Sequence, residues 1–477
     1  MANKTPIILD FFKQLSAFPR CSGNEAAVCS WLQRISSESG FASKVDEAGN
    51  IVILVPGTKG YEDHAAVVLQ GHMDMVCEKI PESSHDFSKD PIQNIVDGDW
   101  MRADNTTLGS DNGIAIALAL AVANDQTIAH PPLELLFTVK EEVGLSGVNF
   151  LKPGFITGNT LINLDSEDEG TFVVGCAGGE TTHLTLPIRF QKTSLTSALK
   201  IIVSGCRGGH SGVDIHKNFA NANKLLARTL NELGQLGPVE IRSISGGTAH
   251  NAISRGAEAV ILLPEGKVES SKMIIKNLES IFQEEYKGVE SSIRVSVEVI
   301  KVPHDSLSVE LSEKVISVLN ALPHGVTNMS ASIPGFVETS NNLASIELKP
   351  TQLKIITSQR STSMSKLREI SGRVHSVARL AGCAISTETS YPAWQPNMNS
   401  KVLVTCKNSF NTLFGHNPEI QMIHAGLECS SIGDIYRGID MISIGVTIEN
   451  PHSPTERMYI PSIEKIWDLL VETLKNL

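Results

Sequence analysis

Four strand-length apolar runs each end in a cluster of acids and histidines. Ala65–Leu69 leads into Gly71-His72-Met73-Asp74, and Leu133–Val139 into Lys140-Glu141-Glu142-Val143-Gly144. Leu161–Leu164 leads into Asp165-Ser166-Glu167-Asp168, and Met441–Ile448 into Glu449-Asn450-Pro451-His452. A fifth cluster, Ser110-Asp111-Asn112-Gly113, opens an Ala- and Leu-rich stretch. The chemistry these residues suit is divalent-cation binding. His72, Asp111, Glu142, Asp165 and His452 make two imidazoles and three carboxylates. Divided over two ions with Asp111 shared, each ion has one histidine, one terminal carboxylate and the bridge, and keeps a position open for water. Two ions roughly 3.5–4 Å apart would yield a hydroxide near neutral pH and clamp a tetrahedral intermediate. His72 and Asp74 lie two apart, so on extended chain both point the same way and Asp74 can orient the imidazole. Glu141 and Glu142 point to opposite sides, so one can ligate while the other faces substrate as general base. Alone, each cluster has an ordinary reading: a solvated acid pair, a surface His-x-Asp pair, a helix cap at Asp111. Their coincidence at the ends of elements of one sheet favours the metal reading.

Those elements must form a sheet whose strand ends meet. Residues 8–17 and 25–39 carry apolar spacings of amphipathic helices, and 114–123 reads as a buried helix between the strands. Strands alternating with helices predict an α/β fold, a mostly parallel sheet with helices on both faces, ligands lying at the carboxyl ends of the strands. The middle of the chain has a different rhythm. Two successive stretches, 197–302 and 308–389, each mix strands and helices in a similar α+β order. This predicts an inserted α+β lid of two similar halves, residues 185–390, dividing one catalytic domain into 1–184 and 391–477.

Composition narrows the function. With 41% hydrophobic and 19% charged residues the chain can build a core, which excludes a disordered protein. The formal charge of −12 repels phosphate backbones and excludes nucleic acid as a partner, while suiting a protein that holds cations. The longest apolar run, Gly113 to Ala123, is too short to cross a membrane, so no membrane partner is expected. The first residues have no apolar stretch of signal-peptide type. Eight cysteines without a Cys-x-x-Cys pair read as reduced, mostly buried thiols of a cytoplasmic protein.

The motifs also carry a resemblance. Gly71-His72-Met73-Asp74, Leu108-Gly109-Ser110-Asp111-Asn112-Gly113, Lys140-Glu141-Glu142-Val143-Gly144 and Leu164-Asp165-Ser166-Glu167 resemble the metal-site motifs of the M20 metallopeptidases. Phe18-Pro19-Arg20-Cys21-Ser22-Gly23-Asn24-Glu25, Val174-Gly175-Cys176-Ala177-Gly178-Gly179 and Gly208-Gly209-His210-Ser211-Gly212-Val213-Asp214-Ile215-His216 are similar to those of its aminoacyl-histidine dipeptidases. The resemblance implies two Zn2+ per chain: His72, Asp111 and Asp165 on one, Asp111, Glu142 and His452 on the other. It implies Glu141 as general base, Asp74 as the residue steadying His72, and hydrolysis of small peptides, including Xaa-His dipeptides. Mn2+ or Co2+ would also suit these O/N donors.

In the insertion, Ser245-Gly246-Gly247-Thr248-Ala249-His250-Asn251-Ala252-Ile253 resembles the family's lid segment. This makes His250 a candidate oxyanion donor and Asn251 a candidate substrate ligand. Arg360 is a candidate clasp for a C-terminal carboxylate, since guanidinium matches that geometry. Glu428, in His424-Ala425-Gly426-Leu427-Glu428, is a candidate for holding a free amino terminus, and His210 reads as a turn histidine. Rival readings are a related M20 amidohydrolase (aminoacylase or carboxypeptidase) and a non-catalytic binding protein that kept the fold. The oligomeric state stays open, a homodimer included.

Overall fold

The computed structural model describes residues 3–331 and 333–477 of the 477-residue chain. They form two compact units, Met1–Cys176 with Trp394–Leu477, and Ala177–Ala393.

The first unit is built on an eight-stranded sheet. Its strands run in the order Ala42–Val45, Ile51–Val55, Leu133–Thr138, Val67–His72, Thr160–Asn163, Asp440–Ser443, Thr171–Cys176 and Glu419–Ile423. The four from Leu133–Thr138 to Asp440–Ser443 are parallel, Ile51–Val55 and Thr171–Cys176 join them antiparallel on either side, and Glu419–Ile423 runs parallel to Thr171–Cys176. The parallel strands are buried on both faces, which explains their unbroken apolar runs. Their register lines up the carboxyl ends: His72 lies opposite Thr138, and Gln70 opposite Asn163. Helix Ser110–Asn124 packs between strand Val67–His72 and helix Thr5–Leu15. Being covered on both sides, it has no polar face, and each buried Leu or Ile contributes roughly 1.5–3 kcal/mol. Gly71 permits the close approach: a Cβ there would run into Asn112 Oδ1 and the Ala115 methyl.

Two expectations for this unit are corrected. The apolar run 441–448 is not one strand of the main sheet. It leaves the sheet after Ser443: Ile444 N–H still bonds to Asn163 O at 2.9 Å, but the backbone at Gly445 then presses on Ser166 O, where no side chain fits. Ile444 and Val446 stay buried, so their hydrophobicity reports burial and not strand. His452 is carried instead by a separate four-stranded sheet of Ile448–Glu449, Arg457–Tyr459, Trp100–Ala103 and Asn94–Asp97. The cysteines are also not all reduced. Cys21 and Cys77 form a disulfide with Cα atoms 5.7 Å apart, while the other six are free. Their segments meet through a Cys21–Met75 bridge that no spacing in the sequence announces.

The second unit is a nine-stranded antiparallel sheet with helices Ala222–Gly234, Val268–Glu285, Val309–Ala321 and Met364–Ala381. Residues 337–348 form one long strand, Val337–Leu348, with a bulge near Leu343. The polar Ser340-Asn341-Asn342 looks like a turn in sequence. In the fold Asn341 is satisfied within the sheet, donating to Pro323 O at 2.6 Å and accepting from Gln359 at 2.6 Å. Strand Gly325–Met329 pairs with it.

Candidate metal centre

Three ligand-bearing segments leave the aligned parallel strand ends, and a fourth comes from the small sheet. His72, the last residue of its strand, is buried. Its Nε2 lies 3.2 Å from Asp111 Oδ1 and 3.5 Å from Asp165 Oδ1. His452 Nε2 lies 2.9 Å from Asp111 Oδ2 and 3.1 Å from Glu142 Oε2. Asp111 thus presents one oxygen to each histidine. His72, Asp111 and Asp165 each offer a donor atom, all within 4.8 Å of one another, and so do Asp111, Glu142 and His452. A third combination of this size joins His72, Glu141 and Glu142.

Local backbone makes the convergence possible. Ser110–Asn124 begins with Asp111 at φ −80°, ψ 104° and Asn112 at φ −118°, ψ 31°, neither of them helical, and the peptide between them is cis. Asp111 is therefore turned aside and does not cap the helix as a sequence reading would have it. Asn112 ties the two neighbouring strand ends together, accepting from His72 N at 3.2 Å and donating to Leu164 O at 2.9 Å. Lys140 and His452 hold left-handed backbone, φ 54° and 59°, a cost of roughly 1–2 kcal/mol each for L-residues.

Asp74 does more than its spacing suggests. Its Oδ1 lies 3.4 Å from His72 Nδ1, which also meets Asp74 O at 3.1 Å. The same carboxylate accepts from Glu141 N at 3.0 Å, Glu142 N at 3.2 Å and Ser22 Oγ at 2.7 Å. One buried side chain therefore orients the histidine and fixes the turn bearing both glutamates. Glu25 supports that turn by accepting from Lys140 N at 3.0 Å. Ser22, Glu25 and Asn112 escape a sequence reading because their partners lie 40 to 115 residues away.

The electrostatics describe a site wanting positive charge. Burial would lower the His72 pKa, yet Asp165, Asp111 and Asp74 hold it well above the usual imidazole value. Burial likewise opposes, and Asp111 and Glu142 overcome it, to raise His452 to about 12. Protons on the two imidazoles balance the carboxylates here, and a divalent cation would take their place. Glu142 Oε1 has no hydrogen-bond partner among the described residues although buried. The donor set therefore fits two divalent cations. Burial chiefly, then the Glu142, Asp165 and Glu428 charges, raise the Glu141 pKa well above the carboxylate range against the pull of His72.

Glu428 lies fully buried in the same unit. Its Oε2 accepts from Gln70 and Thr138, each at 2.6 Å, while Oε1 has no partner among the described residues. Burial, the largest cause, raises its pKa to about 8. In the metal-free protein the native state then keeps a proton on Glu428 that the unfolded chain releases near pH 4.5. Stability from this group is full below that pH and is lost as pH rises towards 8. Between pH 5 and 8, urea unfolding of the EDTA-treated wild type should lose roughly 2–4 kcal/mol more than Glu428→Gln does. Parallel pH profiles would refute a neutral Glu428.

In the insertion, His250 lies within electrostatic reach of Arg360 and His183. Arg360 is buried, donates from Nη1 to Tyr391 Oη at 2.8 Å, and leaves Nε unpaired among the described residues. Asn251 accepts from Ser211 N at 2.7 Å through its backbone carbonyl. His210 Nδ1 accepts from Gly212 N and Val213 N at 3.3 and 3.0 Å.

The chain belongs to the M20 peptidase family. Residues 200–290 match the family's peptidase dimerisation domain. Over 477 residues the chain is 38% identical to the cytosol non-specific dipeptidase of Escherichia coli strain K12, covering 98% of this chain and 97% of that one. The crystal structure of aminoacylhistidine dipeptidase from Vibrio alginolyticus matches with a TM-score of 0.82 and 35% identity, covering 98% and 96% of the two chains. A tripeptidase from Staphylococcus aureus shares the fold, with a TM-score of 0.58 at 19% identity over 99% and 98% of the chains. Among the described residues no helix is long and apolar enough to cross a membrane.

Proposed function

We propose that this protein is a metal-dependent dipeptidase acting in the cytoplasm on dipeptides with free termini, Xaa-His dipeptides among them. The observation carrying this reading is the pair of three-donor groups that share Asp111. The 38%-identical relative, named as a dipeptidase, supports the substrate class. His72, Asp111 and Asp165 would hold one Zn2+ and Asp111, Glu142 and His452 the other, with Mn2+ or Co2+ accepted by the same donors. When bound, the pair would supply Lewis acidity to the scissile carbonyl and acidify the attacking water. Glu141 takes the proton of that water on a carboxylate oxygen and returns it to the leaving amine. Asp74 keeps His72 and the 141–142 turn in register throughout.

Residues 1–184 and 391–477 form the catalytic domain in this reading, and 185–390 the lid. The lid supplies His250 to the developing oxyanion, Asn251 to the substrate and Arg360 to its carboxylate, and Glu428 serves the amino-terminal side of the site. Arg360→Lys keeps the charge but loses the planar fork. It should raise KM for free dipeptides roughly tenfold with kcat little changed, and have no such effect on a C-terminal amide; equal effects on both substrates would remove the clasp.

Hydrolysis of a panel by the metal-reconstituted protein tests the function as a whole. Xaa-His and other dipeptides should be cleaved far faster than N-acetyl amino acids or longer peptides. Preference for N-acetyl amino acids would make it an aminoacylase, preference for longer peptides a carboxypeptidase, and no turnover with both ions bound a binding protein.

A further inference from the structure

Two buried side chains outside the proposed ligand set grip the loop that carries Asp111. Glu456, only 2% exposed, gathers five donors on one carboxylate. Its Oε2 accepts from Leu108 N at 2.7 Å and Gly109 N at 3.0 Å. Its Oε1 accepts from Ser110 N at 2.8 Å, Ser110 Oγ at 2.6 Å and Asp111 N at 3.4 Å. These N–H groups precede the first helical turn and would otherwise be unsatisfied in a buried place. From the opposite side Arg20, also 2% exposed, donates to Gly109 O, to Met73 O at 3.0 Å and to Asp74 O at 3.1 Å. Residue 109 is thus held at its N–H by Glu456 and at its carbonyl by Arg20. Gly109 has φ +71°, and a Cβ there would strike the Arg20 guanidinium and the Met75 sulfur.

The consequence lies in what is joined to what. Glu456 stands four residues after His452, so its carboxylate locks the His452 loop to the Asp111 loop. Arg20 locks the Asp111 loop to the segment that follows His72. Asp111 must present one oxygen to each histidine, and its own backbone is not held by helical geometry.

We propose that Glu456 is a positioning residue that sets the Asp111 oxygen facing His452, and that Arg20 does the same for the oxygen facing His72. This rests on the dinuclear reading above. Glu456 carries the second ion's geometry without ligating it. Charge-assisted bonds from five buried donors make this a stiff connection, and a side-chain amide cannot replace it, because its NH2 would face other donors.

The test is calorimetric titration of EDTA-stripped protein with Mn2+, followed by kinetics. Wild type should show two binding events. Glu456→Gln should weaken one of them by at least roughly tenfold, in the range seen when a partner behind a metal ligand is lost, and leave the other within about threefold. Ser110→Ala removes one of the five donors and folds more readily; it should weaken the same event by a few fold. Saturating Mn2+ should restore kcat of both variants with KM for the dipeptide unchanged, which a purely structural defect would not produce. Isotherms within twofold of wild type in Ser110→Ala, and in Glu456→Gln where it folds, overturn the proposal. Equal weakening of both events together with a lowered melting temperature of the metal-free protein also overturns it. A wild type that binds two ions while the variants match it defeats only the positioning role, whereas a wild type that binds none defeats the dinuclear reading itself.

Discussion

Glu141→Gln should retain two metal ions per chain and lose turnover by a factor on the order of 10²–10⁴, the usual contribution of a positioned acid–base group. The substitution preserves shape and removes only the ability to take up and return a proton. Asp74 bonds the backbone N–H of residue 141, not its side chain, so the turn that presents Glu142 should survive. The pH profile sharpens the expectation. Burial raises the Glu141 pKa well above its ordinary value. The base is active when deprotonated, so kcat/KM of the metal-loaded enzyme should climb with pH through the titration of this group, and the climb should vanish in the variant. Metal analysis supplies the opposing outcome. Glu141 also belongs to a three-donor combination with His72 and Glu142. Loss of one ion from Glu141→Gln would make it a ligand, and the base would have to be sought elsewhere.

Asp111→Asn should cost both ions at once. Its two oxygens face different histidines, at 3.2 and 2.9 Å, and it is common to the two three-donor groups. Replacing one oxygen by an amide nitrogen leaves one group short of an anion and turns donor hydrogens toward the other. Affinity at both sites should fall by at least roughly 100-fold, the upper end of what losing a mere supporting partner costs. Asp165→Asn, by contrast, should weaken only the ion shared with His72. Calorimetric titration distinguishes the two patterns, and two intact events in Asp111→Asn would end the idea of a bridge. Because Asp111 and Glu142 hold the proton on His452 up to about pH 12, cation uptake must expel protons. Apparent affinity should therefore rise with pH, and the heat of binding should vary with the ionisation enthalpy of the buffer.

Much of this centre was legible because its parts have local signatures. An apolar run of strand length followed at once by an acid or histidine locates His72, Glu142 and Asp165 at strand ends, and parallel pairing brings those ends to one level. Asp74 was readable as a partner of His72 from its spacing of two, but its bonds to Glu141 and Glu142 were not, because they depend on the neighbouring strand. His452 was singled out by type and position, but the run before it continues past its short strand as buried irregular chain and not as one strand of the main sheet. Cys21 and Cys77 were misread for the same reason, since only the packed chain brings them together.

The amino-acid order by itself fixed the inventory: two imidazoles, three ligand-type carboxylates and a spare glutamate, each tied to an element whose hydrophobic period reveals it. Tertiary structure decided what that inventory is held by. The turned-aside backbone of Asp111, the five bonds to Glu456 across 345 to 348 residues, and the grip of Arg20 on Gly109 have no local pattern. Periodicity reports only which side of an element is dry. A buried hydrogen bond reports which distant polar group happens to arrive there, and that is settled when the chain closes.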